Sequence, residues 1–143
     1  TADGVTREAP LPVRLDPRVR VSAEDLALQA RYSLQLLNAS AAAQALRDTV
    51  DQRLARAPAA QRDALLRLRG EGEAANPDTS YGSITAVPTE RETIVSLQEK
   101  LAHMLKLLQQ ADARPTTQAI TAVDALLARL DELKALAAAL SPT

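Results

Sequence analysis

Few side chains in this sequence have the types and spacing that chemistry demands. His103 is the one histidine, and Glu99 stands one turn before it. A metal site draws three or four ligands from His, Cys and carboxylate groups, so one imidazole with one carboxylate at i−4 falls short. The spacing predicts a flank histidine on a helix, loosely paired with Glu99. Serine nucleophiles need a base within hydrogen-bond reach on a sharp turn, and no Gly-x-Ser-x-Gly segment occurs. The chain has no cysteine, which excludes thiolate metal sites, disulfides and cysteine nucleophiles.

Carboxylates come in pairs at Glu71/Glu73, Glu90/Glu92 and Asp131/Glu132. Neighbours one or two apart on a helix point away from each other, so these pairs are not set for acid/base work. Gly70-Glu71-Gly72 has no preceding strand and no phosphate-loop lysine, so it does not cradle a nucleotide. Arg62, Arg67 and Arg69 form the densest basic cluster, but Asp63, Glu71 and Glu73 stand among them and no aromatic interleaves for base stacking. From these residues no catalytic group, no cofactor and no metal is expected.

Bulk charge agrees. Lys plus Arg is 17 and Asp plus Glu is 18, a net charge of −1, which gives no basic field for nucleic acid or an anionic membrane. Charged residues interrupt every apolar segment, so no membrane insertion is expected. Lack of cysteine suits a reducing cytoplasm and a bacterial periplasm equally. The first residue is Thr1, and the expectation is a piece of something longer or a processed product.

The elements that must position these side chains are helices. Alanine (29) and leucine (23) supply most of the apolar residues, against eight Val, three Ile and two Tyr, so a β core has almost nothing to be built from. The predicted fold is all-α: an antiparallel bundle of three long helices plus one short, preceded by an extended arm. Residues 1–21 read as that arm or the end of a preceding β-domain, since Pro10, Pro12 and Pro17 punctuate the period-two tracts Val13-Arg14-Leu15 and Val19-Arg20-Val21. Residues 22–143 read as the bundle, with a long loop at 70–88.

Ser22 with Glu24 and Asp25 specifies the first helix start. From there two apolar stripes compete: Leu26, Ala30, Leu34, Leu37, Ala41 and Ala45, running on to Asp48 and Gln52, and a second through Leu46, Val50 and Leu54. A bend is expected near Asn38-Ala39-Ser40. Pro58 opens the short second helix and Gly70 closes it. The loop carries an apolar cluster, Tyr81, Ile84 and Val87, which is the candidate partner contact. Thr89 and Glu92 read as a capping box for the third helix, whose seam is Ile94, Leu97, Leu101, Met104 and Leu108, ending near Ala111-Asp112. Thr116 caps the fourth, with Ile120, Val123, Leu127, Leu130, Leu133, Ala137 and Leu140 facing that seam; it should fray near Ser141-Pro142. Alanine buries little area, so this core is thin unless backbones come close or a partner covers an extra face, and a homodimer is one expected outcome.

The VRLDPRVRVS tract (Val13 to Ser22), the long Ala/Leu helix opening with Glu24-Asp25-Leu26, and the QQADARPTTQ junction (Gln109 to Gln118) resemble, in that order, the C-terminal end of large bacterial sortilin-like proteins. These are BNR or Asp-box repeat β-propellers often labelled glycosyl hydrolase-like. The resemblance implies a helical tail after a small β-domain, with any catalytic or ligand site in a propeller that this chain does not contain. It implies a periplasmic or secreted parent and a non-catalytic interaction or assembly module whose partner is protein, either the parent chain or a second copy. The alternative is a free-standing helical adaptor or chaperone-like protein that binds a partner helix in a groove.

Overall fold

The computed structural model describes residues 9–12, 20–70 and 93–140. They form four helices: α1 (Ala23–Leu54), α2 (Ala59–Arg69), α3 (Ile94–Leu108) and α4 (Thr117–Ala139). The fold is all-α, three long helices and one short, as the composition requires. The tracts at 13–19, the loop at 71–88 with Tyr81, Ile84 and Val87, and Ser141-Pro142 lie outside the described residues.

Each helix begins where local chemistry satisfies its orphan N–H groups. The Ser22 hydroxyl accepts from the Asp25 amide at 3.0 Å, and Glu24 and Asp25 place negative charge at the positive end of α1. Thr116 does the same for α4, accepting from the Ala119 amide at 3.1 Å. At α3 the start differs from the predicted capping box. Thr93, with extended backbone at φ −111° and ψ 164°, is the N-cap, and its hydroxyl accepts from the Ser96 amide at 3.2 Å. Thr89 and Glu92 lie outside the described residues. The same chemistry sits closer to the first buried residue, Ile94, because a helix cannot run through an extended Thr93. The end of α3 also comes earlier than expected, with Gln109 as its C-cap.

Helix α1 runs unbroken through the Asn38-Ala39-Ser40 segment where a bend is expected. The helix is continuous over 32 residues, about 48 Å at 1.5 Å per residue. Ser40 donates to the Leu36 carbonyl at 2.9 Å, which satisfies its hydroxyl inside the helix without ending it.

Polar pairs define how the helices run. The Gln29 amide donates to the carbonyls of Leu108 and Ala111, and Arg47 reaches Gln98, so α1 and α3 are antiparallel. Arg114, just before α4, lies 3.5 Å from Asp25, and Arg53 donates to the Ala137 carbonyl at 2.6 Å, so α1 and α4 run parallel. Helix α2 folds back from the end of α1 and ties Arg69 to Asp51.

Between these helices lies the core. All five seam residues of α3 are buried, and Val123, Leu130, Leu133 and Ala137 meet them from α4. Ile120, Leu127 and Leu140 pack against the core half-buried. From α1 the buried stripe is Tyr32, Leu36, Ala39, Ala43, Val50 and Leu54. This extends the second predicted stripe and corrects the first, which faces outward. The reason lies at the C-terminal half, where the first stripe degrades into Asp48 and Gln52 while the second continues as Val50 and Leu54. Ala39 and Ala43 are buried among leucines, which brings the neighbouring helices near α1 and compensates for small side chains.

Gly70 joins the short helix to the bundle. Its φ of 98° is left-handed, and a Cβ there would stand 2.6 Å from Thr93 Oγ1 and 2.9 Å from Thr93 Cβ. The end of α2 therefore packs on the cap of α3 so closely that only glycine fits.

Truncation of the fully buried Leu101 or the nearly buried Leu130 to alanine is expected to cost about 2–5 kcal/mol each in chemical denaturation. Unmoved midpoints in both would refute the α3–α4 pairing. Gly70→Ala is expected to lose about 1–2 kcal/mol from the left-handed backbone alone. The overlap with Thr93 adds to that, so a G70A chain as stable as the original would contradict the joint.

Candidate functional site

His103 is half-buried on the flank of α3, and among the described residues no hydrogen bond or ion pair joins its imidazole to the Glu99 carboxylate or to any other group. The loose pairing expected from i−4 spacing is not formed. Asp131 and Glu132 are drawn apart, as their adjacency demands, onto Lys134 at 3.0 Å and onto Arg129. The arginine cluster of α2 is likewise dispersed. Arg69 is tied to Asp51, Arg67 donates from Nε to the Asp63 carbonyl at 3.2 Å, and Arg62 faces solvent. The pairs Glu71/Glu73 and Glu90/Glu92 lie outside the described residues.

Among the described residues no group of three or more His, Cys, Asp or Glu side chains could hold a metal ion, and no buried side-chain nitrogen or oxygen lacks a partner. No helix among them is long and apolar enough to cross a membrane.

The structure instead sets out two things the linear pattern does not separate. The first is a set of polar clasps along α1. Gln29 stands over the C-terminal carbonyls of α3, and Arg53 does the same for α4, so orphan acceptors at two helix ends are met from a third helix. Gln98 links to Gln44 at 2.9 Å between them. Single glutamines and arginines carry no signature of such a role in the sequence.

The second is an apolar strip on the outside of α1. Ala30, Leu34, Leu37, Ala41 and Ala45 recur at three- and four-residue spacing on the face opposite Leu36 and Ala43, and all are exposed. Leu34 keeps 59% of its surface in solvent and Leu37 54%, whereas Leu36 keeps none. No charged residue occurs from Tyr32 to Leu46. A solvent-facing helix surface ordinarily carries charge opposite its core stripe. Here the outer face is uncharged over about three turns and mostly apolar, with Asn38 as an exposed polar residue among its leucines and alanines. On α4, Leu136 is a further exposed leucine. The sequence does hold the signal for this strip, as the first of the two competing stripes.

No family model, curated protein or solved structure matches this chain.

Adjacent leucines give a direct test of which way α1 faces. With the chain held dilute, Leu36→Ala is expected to cost about 2–5 kcal/mol of unfolding free energy. Leu37→Ala is expected to stay within about 0.5 kcal/mol of the original. Equal losses would mean that α1 is rotated from the orientation described.

Proposed function

We propose that this chain is a non-catalytic helical module for protein interaction or assembly. The observation that supports this is the outer strip of α1, where Leu34 and Leu37 are more than half exposed in a stretch without charge. Clustered apolar residues on an otherwise polar surface mark places where another protein packs. The side chains with reactive groups, by contrast, sit in ordinary surroundings: His103 on a helix flank, and the carboxylates and guanidinium groups at or near the surface, some paired and some not.

The setting we propose comes from the resemblance of the VRLDPRVRVS and QQADARPTTQ tracts to the C-terminal ends of sortilin-like propeller proteins. In that setting the module follows a larger exported bacterial protein, in the periplasm or secreted, and any activity belongs to the propeller. Its partner is protein, either that parent or a second copy.

The test is to express the polypeptide encoded upstream of Thr1 and to measure its binding to this chain by titration calorimetry or sedimentation. Propeller repeats upstream, together with an interaction weakened at least tenfold by Leu34→Glu plus Leu37→Glu, are the expected outcome. A start codon and export signal directly before Thr1 would overturn the parental setting. A strip that tolerates both glutamates with no change in any association would overturn the interaction role.

A further inference from the structure

The outer strip of α1 matches itself in reverse, and from this we propose that it binds a second copy of the chain. In the pair the two α1 helices lie antiparallel, related by a two-fold axis at the height of Ala39 and Ser40. This rests on the reading of the strip as an interaction surface and names its occupant.

Size complementarity comes first. Both bulky residues of the strip, Leu34 and Leu37, lie on the N-terminal side of that point, with Ala30 beyond them, and the C-terminal side carries only the small Ala41 and Ala45. Reversing one helix about the axis sets Leu34 level with Ala45 of the second copy and Leu37 within one residue of Ala41. Each leucine then enters the space an alanine leaves, twice over by symmetry. A parallel pair in register would instead set leucine on leucine and alanine on alanine, leaving one end crowded and the other hollow.

Charge gives the same register independently. Glu24, Arg31, Asp48 and Arg56 are exposed, and among the described residues none of them makes an ion pair within the chain. Arg31 stacks its guanidinium 5.1 Å over the Tyr32 ring and Asp48 accepts from the Gln44 amide at 2.8 Å, contacts that leave both charges open to an opposite one. The antiparallel arrangement that levels Leu34 with Ala45 also levels Arg31 with Asp48. Within a residue of the same register it brings Glu24 beside Arg56. Asp48 stands nearer the middle of the strip, within reach of the long Arg31 side chain from the flank. The parallel arrangement would set each of these charges against its own like. Neither the apolar nor the charged residues need any other chain to be matched. One helix pair is smaller than the usual stable interface of about 800 Å² per partner, so the dimer is weak and concentration-dependent.

Sedimentation velocity of the intact chain over a wide concentration range reads the association. Dimer formation with rising concentration is expected, and a monomer throughout would overturn the proposal. Leu37→Glu is expected to raise the dissociation constant at least tenfold while helical circular dichroism stays unchanged, since Leu37 is not in the core. Asp48→Arg is expected to weaken the dimer and the double change Arg31→Asp with Asp48→Arg to restore it. Failure of that rescue would overturn the register.

Because the chain has no cysteine, introduced thiols report position without interference. Ala41→Cys lies about 4.5 Å along the axis from its own mate and is expected to cross-link on oxidation, whereas two copies of Leu34→Cys are offset by about 16 Å and are not. A mixture of Leu34→Cys and Ala45→Cys is expected to cross-link. Self-linking of Leu34→Cys would point to the parallel pair and overturn the antiparallel one. A monomer whose Leu34→Cys thiol is shielded only when the upstream polypeptide is added would overturn the second copy as occupant while keeping the interaction role. A monomer whose thiol reacts freely in both cases would overturn both.

Discussion

Burial of the α3 seam is the constraint on which the fold depends. Fifteen residues in isolation are marginal as a helix in water. Ile94, Leu97, Leu101, Met104 and Leu108 become stable as one side of a helix only because α1 and α4 close over them. A seam of period three and four covered from two sides demands two long helices, antiparallel to α3 and therefore parallel to each other, and α1 and α4 run that way. The position of α2 follows. It covers the end where α1 stops, burying Leu65 and Leu68.

With so few aromatic residues the core gains little from large side chains, and the molecule compensates by closeness. Buried Ala39, Ala43 and Ala137 let helices approach, and Gly70 lets the end of α2 rest on Thr93. Close approach brings helix ends beside other helices, which is why Gln29 and Arg53 can serve carbonyls on α3 and α4 that would otherwise depend on water. Packing and polar satisfaction are thus two results of the same short distances.

Long helix α1 also explains why this bundle has an outside that is not plainly an outside. Its alanines and leucines lie on two opposite faces, so the helix itself has almost no amphipathic side. The neighbours consume one face. Nothing in the intrinsic preferences of Leu34 and Leu37 distinguishes them from Leu36, and what sets them apart is only that α3 and α4 are on the other side. The cost of leaving Leu34 and Leu37 in water among alanines is the physical reason to look for association there rather than for a reactive centre around His103.

Helix class, the start at Pro58, the stop at Gly70, the caps at Ser22 and Thr116, and the α3 seam were all legible in the linear chain, because each depends on residues within about four positions of one another. The pairing of α3 with α4 followed from their facing apolar stripes. The choice between two stripes on α1, the start of α3 at Thr93 rather than Thr89, and the clasps of Gln29 and Arg53 were decided only in three dimensions. Each depends on residues far away in the chain, 79 to 84 positions for the clasps, and on competition between faces or caps of nearly equal local merit. Local preference can propose both candidates, but it takes the neighbouring helices, by covering one face and leaving the other wet, to separate them.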